Sequence, residues 1–161
     1  MKKLILGVFV IVLTSATNKS QKLNLKFVEI GYGICETEEV FTKKNKEAPT
    51  GTQAFSDGFV LIKQTDTIPA ILGQQFGVTY EIQSANDKSI DVEQAWIFPQ
   101  EMINNEGQKF KEIRYTLKKS VNRMSFSTYS FDKKYEIVKG QWTFQMLHKG
   151  VKIYERKFFV E

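Results

Sequence analysis

The amino-acid sequence predicts an all-β protein, folded as a sandwich of antiparallel sheets with about seven or eight strands. Short segments in which apolar and polar residues alternate recur along the chain, and turn residues separate most of them. No convincing run of eleven or more residues carries apolar side chains at helical spacing. Strands with one buried and one wet face must stack in two sheets or close into a barrel. Trp96 and Trp142, each in the middle of a strand, favour the immunoglobulin-like sandwich.

Two strand candidates and a long polar segment begin the domain. Residues 24–34 alternate, so that Val28, Ile30, Tyr32 and Ile34 are expected to share one face of a strand. The polar segment that follows, residues 36–57, is rich in lysine and turn residues and predicts a long loop. The short apolar run of residues 58–64 comes next and is the second strand candidate.

The following strands are indicated by proline and by alternation. Residues 67–70 predict a sheet edge, because Pro69 has no N–H to donate to a ladder. Six segments rich in aromatic and β-branched residues are further strand candidates: residues 76–83, 92–98, 110–117, 123–131, 142–148 and 151–160. Pro99 is expected to end the second of these, and Lys149-Gly150 is expected to join the last two in a tight hairpin.

Length and composition indicate one globular domain behind a leader. The 161 residues are enough for a domain that builds its own core. An apolar fraction of 42% with 25% charged residues excludes a disordered chain, collagen and a polytopic membrane protein. The single cysteine excludes an intrachain disulfide, and the single histidine excludes zinc motifs that need two.

The first sixteen residues have the three-part layout of a secretory signal peptide. Lys2 and Lys3 precede the apolar run of residues 4–13, and small residues follow as far as Ala16. This run is shorter than the roughly 20 residues that a membrane-spanning helix needs. We therefore expect a signal peptide at residues 1–16, a single sandwich domain at residues 17–161 without a membrane span, and export to the periplasm or beyond. Retention of the leader as an anchor is the alternative.

The net charge gives no reason to expect a nucleic-acid partner. Removing the two leader lysines leaves 21 basic and 18 acidic side chains, a net charge of +3. Such a weak excess in an exported domain does not indicate nucleic-acid binding.

Several motifs together resemble a known protein family. Their shared feature is an aromatic residue, glycine or proline at a strand end or on a strand face. They are Thr67-Ile68-Pro69-Ala70, Gly73-x-x-Phe76-Gly77-Val78-x-Tyr80, Trp96-x-Phe98-Pro99, Gly140-x-Trp142-x-Phe144-x-Met146 and Phe158-x-Val160. The ordered set resembles a family of bacterial exported domains of unknown function over about residues 24–160. The resemblance implies an immunoglobulin-like sandwich and export, and it implies no catalytic residue and no cofactor.

His148 and Cys35 are the side chains most often associated with chemistry, and both are expected to be structural. His148 is the only imidazole, no Gly-x-Ser-x-Gly nucleophile motif accompanies it, and it precedes a turn where side chains are usually solvated. Cys35 ends the first strand, where a buried thiol on a strand face is more common than a reactive one. A reactive thiol or an intermolecular disulfide is the alternative for Cys35.

Two charged segments are further candidates for a binding or catalytic site. Glu36, Glu38 and Glu39 could bind Ca²⁺ or act on a glycan, but no Asp-rich loop accompanies them, so a solvated acidic stretch is expected. Residues 109–123 contain six basic side chains and one acid. Alternation places these charges on both faces of the strand, which favours solvated charge and edge protection over a binding patch.

The sequence therefore predicts an exported binding or interaction module of the bacterial cell envelope that is not an enzyme and has no catalytic, metal or cofactor site. The expected partner is an envelope protein or an anionic glycan or lipid headgroup. Two alternatives stay open. One is an assembly partner that lends an edge strand, and the other is an enzyme that uses carboxylates on an envelope polymer.

Overall fold

The computed structural model describes residues 25–161, which form a sandwich of two packed β-sheets. The nine strands in this range are β1 (Leu25–Lys44), β2 (Thr52–Gln64), β3 (Thr67–Ile68), β4 (Gln75–Ser84), β5 (Ser89–Ile103), β6 (Lys109–Ser120), β7 (Met124–Ser130), β8 (Gly140–His148) and β9 (Val151–Val160). The first sheet has the order β2-β1-β4-β7, and the second has the order β3-β9-β8-β5-β6. A short 3-10 turn, Lys134–Glu136, precedes β8. The predicted all-β sandwich is confirmed, whereas the predicted signal peptide lies outside the described residues.

The polar segment at residues 36–57 is not the predicted long loop. It continues β1 and opens β2, and the two strands pair from Lys44 opposite Thr52 down to Gly33 opposite Gln64. Phe41 and Phe55 stack across this hairpin, with ring centroids 4.7 Å apart. A two-stranded ribbon can pair its backbone hydrogen-bonding groups without burying either face. A polar sequence can therefore form these strands without showing the apolar alternation by which strands are recognised.

A β-bulge changes which face of β1 points inward. The register with β4 shifts between Glu29 and Gly31, so Ile30 turns outward and is 52% exposed. Phe27 packs on the core before the bulge, and Tyr32 packs on it after the bulge. The prediction that Ile30 shares the inward face was therefore wrong, because one extra residue reverses the alternation.

The prediction that a proline marks a strand end is confirmed at Pro69 and is wrong at Pro99. β3 is a two-residue edge strand followed by Pro69, as predicted, and it pairs in parallel with β9. β5 does not end at Pro99. It runs on to Ile103, and Pro99 lies where the ladder with β6 is interrupted between Ile97 and Met102. No N–H is required at that interruption, so the proline is tolerated.

The core between the sheets is dominated by aromatic rings. Trp96 and Trp142 are both fully buried, as their mid-strand positions predicted. The Trp142 Nε1 donates a hydrogen bond of 2.6 Å to the Val138 carbonyl, so its only polar atom is satisfied. The predicted β8–β9 hairpin is present, with Lys149 and Gly150 both at positive φ as a two-residue turn requires.

An ion pair, here called the inter-sheet clamp, joins the two sheets beside this core. The Arg156 guanidinium of β9 donates to the Glu29 carboxylate of β1, and the Tyr154 hydroxyl donates to the same carboxylate. Arg156 also lies over the Tyr32 ring, 3.6 Å from its centroid. The clamp therefore connects β1 and β9, the first and last strands of the described residues.

Candidate functional site

The outer part of the β1–β2 hairpin, residues 36–57, extends past the first sheet and is here called the arm. At its base the Thr37 hydroxyl oxygen accepts a hydrogen bond of 2.9 Å from the Gln75 side chain. At its tip the Pro49 carbonyl accepts one bond of 3.2 Å from the Asn104 amide and one of 3.1 Å from the Tyr135 hydroxyl. Asn104 follows β5, so the arm reaches from one sheet to the other.

A groove of about 590 Å³, here called the arm groove, lies between the base of the arm and the turn before β4. The large aliphatic side chains that line it are Ile34, Ile62, Ile71 and Leu72. Ile62, Ile71 and Leu72 are each more than half exposed, at 54%, 60% and 51%. Exposed apolar side chains that cluster in a concave surface are typical of interaction sites.

The charged lining of the arm groove is entirely acidic. Glu36, Glu39 and Asp132 line it, and no lysine or arginine of the described residues does. Within residues 25–161 none of these three carboxylates forms an ion pair. The groove is thus locally negative in a chain whose formal net charge is +5.

Backbone hydrogen bonds hold the turn that presents the apolar side of the arm groove. The Gly73 N–H donates to the Phe131 carbonyl at 2.8 Å, and the Phe131 N–H donates to the Gln74 carbonyl at 3.0 Å. Gly73 has φ of 82°, a left-handed conformation that favours glycine. The turn is therefore fixed at its end, and Ile71 and Leu72 project from it beside the arm.

A second, smaller cavity of about 120 Å³ lies under the arm tip. Trp96, Tyr129 and Glu136 form its inner wall. The Trp96 Nε1 is buried and has no well-aligned hydrogen-bond partner among residues 25–161. Burial raises the pKa of Tyr115, which also lines the cavity, to about 12, against the opposing effect of the neighbouring Trp96 N–H. This cavity is below the range of about 300–1,000 Å³ that small-molecule sites occupy.

Glu136 is the only acid in this cavity with a strongly altered pKa among the described residues. Burial raises the pKa of its carboxyl to about 7, against the hydrogen bonds that it accepts. Its oxygens accept from the Tyr129 hydroxyl at 2.9 Å and from the Lys133 N–H at 2.7 Å. Asp132, the other acid that lines the cavity, is exposed. One Glu136 oxygen accepts from Tyr129 of β7 and the other from the Lys133 N–H at the start of the 3-10 turn, so Glu136 and Asp132 are poorly arranged for acid–base catalysis.

Cys35 and His148 are both buried. Cys35 is 1% exposed, and burial, with a contribution from the Glu36 charge, raises the pKa of its thiol to about 12. A thiol so rarely ionised is a poor nucleophile, which agrees with the structural role expected for it. His148 is not at the solvated position that its neighbouring turn suggested. Its Nδ1 lies 2.8 Å from the Asp91 carbonyl, because His148 continues the inward alternation of Trp142 along β8.

The glutamates at residues 36–39 are exposed on the arm, as the sequence indicated. Glu36 and Glu39 nevertheless line the arm groove, whereas Glu38 does not. Within residues 25–161 no group of three or more His, Cys, Asp or Glu side chains is arranged to hold a metal ion.

The basic segment at residues 109–123 forms β6, an edge strand of the second sheet, and the turn after it. Arg114 pairs with Glu93 at 2.6 Å and with Glu112 at 2.9 Å. Lys109 pairs with Glu101 at 3.1 Å. Acidic neighbours therefore offset part of the charge, and the segment does not form a single basic face.

Sequence reasoning missed the apolar side of the arm groove. Ile71 and Leu72 stand in a turn between Pro69 and Gly73, where no alternation exists to mark a buried or exposed face. Two adjacent large apolar residues in such a turn were the available signal, since turns are normally polar.

Comparisons with known proteins agree with the fold. A family model described as "Domain of unknown function (DUF3859)" matches residues 23–160. An immunoglobulin-like protein from Pseudomonas aeruginosa matches with a TM-score of 0.61 and 19% identity, covering 85% of this chain and 96% of that one. No curated protein matches the chain. The predicted resemblance to a family of unknown function and the predicted immunoglobulin-like fold are thereby confirmed.

One further structure is similar only in part. The alkylpurine DNA glycosylase AlkC from Pseudomonas fluorescens, solved with DNA containing an abasic-site analogue, has a TM-score of 0.40 and 10% identity. The match covers 60% of this chain and 28% of that one, and at this TM-score it supports no conclusion here. Within residues 25–161, no helix has the length and hydrophobicity to cross a membrane.

Proposed function

The chain belongs to the DUF3859 family of domains of unknown function, and we propose that it is a non-catalytic binding module exported to the bacterial cell envelope. The arm groove is the observation that carries this proposal. It combines exposed Ile62, Ile71 and Leu72 with carboxylates that no cation of the described chain neutralises. Such a surface is favourable for a partner and has no evident use within the domain itself.

Three ionisable groups with a shifted pKa support a role without catalysis. Glu29 is held in the inter-sheet clamp, Glu136 holds the 3-10 turn, and Cys35 is a buried thiol with a raised pKa. A general acid, base or nucleophile needs a free atom facing a substrate. The carboxylate enzyme remains the weaker alternative, because its best acid is already bonded through both oxygens.

Export is supported by the leader pattern of residues 1–16, which ends in small residues at Ala16. Fractionation of cells, followed by N-terminal sequencing of the accumulated protein, tests this part. We expect envelope or secreted material that begins near Thr17. Cytoplasmic material that begins at Met1 would contradict export.

Site-specific photo-crosslinking in intact cells tests binding. A photoreactive residue replaces Ser56 or Gln74 in the arm groove, and the matched control replaces Val151, which is exposed on the β8–β9 hairpin and does not line the groove. We expect a discrete crosslinked partner from the groove positions that disappears with Ile71→Ser combined with Leu72→Ser. Absence of any crosslink, from these positions and from others spread over the surface, would contradict a binding function.

Strand addition is a second candidate, and the edge of β2 favours it. β2 is the outer strand of the first sheet, and Val60 and Ile62 on it are each 54% exposed. An unpaired apolar edge is a template for a strand from another chain. Hydrogen exchange in the captured complex separates the two candidates. Strand addition protects the amides of residues 59–64, whereas groove binding protects residues 71–75.

A further inference from the structure

Building on the proposed binding function, we propose that the arm groove binds an extended segment of a partner protein that carries both large apolar side chains and lysine or arginine. Three features of the arm groove favour such a segment: its apolar wall, its unneutralised carboxylates, and the polar groups on its lining.

The apolar wall sets the first requirement on the occupant. Ile62 belongs to β2, whereas Ile71 and Leu72 belong to the turn before β4, so the wall is assembled from segments that the fold brings together. Covering three side chains that are each more than half exposed removes apolar area from water, and this favours association. A purely polar ligand gains none of this hydrophobic contribution to binding.

The carboxylates set the second requirement. Glu36 and Glu39 lie on the arm and Asp132 follows β7, so the negative charge comes from both sides of the groove. An arginine or lysine on the occupant would find no competing cation on the groove lining. Charge complementarity of this kind selects partners and makes binding weaker as salt rises. The same charges repel anionic headgroups and acidic glycans.

Polar groups on the groove lining suit a polypeptide main chain. Ser56, Gln74 and Ser130 line the groove and carry hydroxyl or amide groups that can bond N–H and C=O groups. An extended chain presents these groups at regular intervals, with side chains alternating about every 3.3 Å. One side of such a segment can meet the isoleucines and leucine while the other meets the carboxylates.

Fluorescence anisotropy with three synthetic peptides tests the proposal on the purified protein. Each peptide has about eight residues, enough to extend over roughly 25 Å. They alternate lysine with valine, glutamate with valine, and lysine with serine. We expect the lysine–valine peptide to bind at least about tenfold more tightly than the other two, and its affinity to fall as salt is raised.

Matched variants locate the binding. Glu39→Lys and the pair Ile71→Ser with Leu72→Ser are each expected to weaken lysine–valine binding by about tenfold. Glu155→Lys and Val151→Ser make the same chemical changes outside the groove and are expected to leave it unchanged. Thermal melts confirm folding, and Leu72→Ser alone replaces the pair if the pair does not fold.

Each contrary result has a definite meaning. Equal binding of the lysine–serine peptide, equal binding of the glutamate–valine peptide, or no binding of any peptide would overturn the proposed occupant. Peptide affinity that is unchanged by the groove substitutions would show that the peptide does not bind in the arm groove. In either case a partner crosslinked from another surface in cells would leave the binding function standing. Absence of crosslinks from every surface would remove both proposals.

Discussion

Trp142 shows how one side chain supports the whole interface between the sheets. It is fully buried, and its ring meets Phe98 at 4.7 Å, Tyr129 at 4.9 Å and Phe76 at 5.9 Å, all edge to face. These rings come from strands of both sheets, so removal of the indole leaves a space that no single strand can fill.

Trp142→Ala is therefore expected to reduce the free energy of unfolding by about 3–5 kcal/mol. That is a large share of the roughly 5–15 kcal/mol typical of a domain, so the variant should be poorly folded at best. Thermal or urea unfolding measures the loss. The control is Phe159→Ala, since Phe159 is 50% exposed and should cost little. A nearly unchanged melting temperature for Trp142→Ala would instead indicate an exposed stacking platform for a sugar ring.

Where a strand is regular, the alternation of apolar and polar residues predicted well which side chains face the core. The alternation in β8 predicts one face for Trp142, Phe144 and Met146, with Thr143 and Gln145 on the wet face, and all three are fully buried. The same alternation in β8 places His148 inward, against the solvated position that its neighbouring turn suggests. Alternation failed at Ile30, because the bulge adds one residue that composition does not announce.

The arm shows the limit of sequence reasoning for whole elements. Regular strands were recognised because they bury one face. The predicted ends of β4, β6, β7, β8 and β9 lie within three residues of those observed, whereas β5 runs five residues past its predicted end. The arm buries little of either face, so the pattern that reveals other strands is weak in residues 36–57. The arm groove could not be predicted for a related reason. The groove forms where the arm lies beside the turn at Ile71 and Leu72. Residues so far apart in sequence are brought together only by the tertiary fold.

Tyr135→Phe tests how the arm is held at its tip. The change removes one of the two hydrogen bonds that the Pro49 carbonyl accepts while leaving the ring in place. We expect faster hydrogen exchange at arm amides, because a typical hydrogen bond contributes about 1 kcal/mol. Global unfolding should change little.

Hydrogen exchange with mass spectrometry measures this effect on residues 36–57, with the β8–β9 hairpin as an internal reference. Tyr154→Phe is the matched control, since it removes a tyrosine hydroxyl from the inter-sheet clamp and not from the arm tip. Unchanged exchange in the Tyr135→Phe arm would show that the tip is held by its packing alone.

At the scale of the whole molecule, the inter-sheet clamp connects pH to stability. Burial alone would raise the pKa of Glu29, but the Arg156 hydrogen bonds, the Tyr154 hydroxyl and the Arg156 charge together hold it below 4.5. A carboxyl whose pKa is lowered by folding adds stability above its unfolded pKa. That contribution is lost as the pH falls through its folded pKa.

Glu29→Gln is accordingly expected to lower stability at neutral pH by about 1–3 kcal/mol, the range for hydrogen bonds to charged groups. It should also lose less stability than the wild type as the pH falls below about 4.5. Urea unfolding across this pH range measures both effects. Glu155→Gln is the control, because Glu155 pairs with Lys152 at an exposed position. Parallel pH curves for wild type and Glu29→Gln would contradict a stabilising role for the clamp.

The parallel pairing of β3 with β9 has a consequence for the order in which the chain can acquire its fold. Thr67 cannot pair until Phe159 has been synthesised, and Glu29 cannot pair until Arg156, 127 residues further along the chain, has followed it. While synthesis is under way, the second sheet lacks its β9 strand, and the inner rings of the first sheet have an incomplete cover. Contacts so distant in sequence slow folding. We therefore expect the two sheets to close into the sandwich only after β9 has emerged.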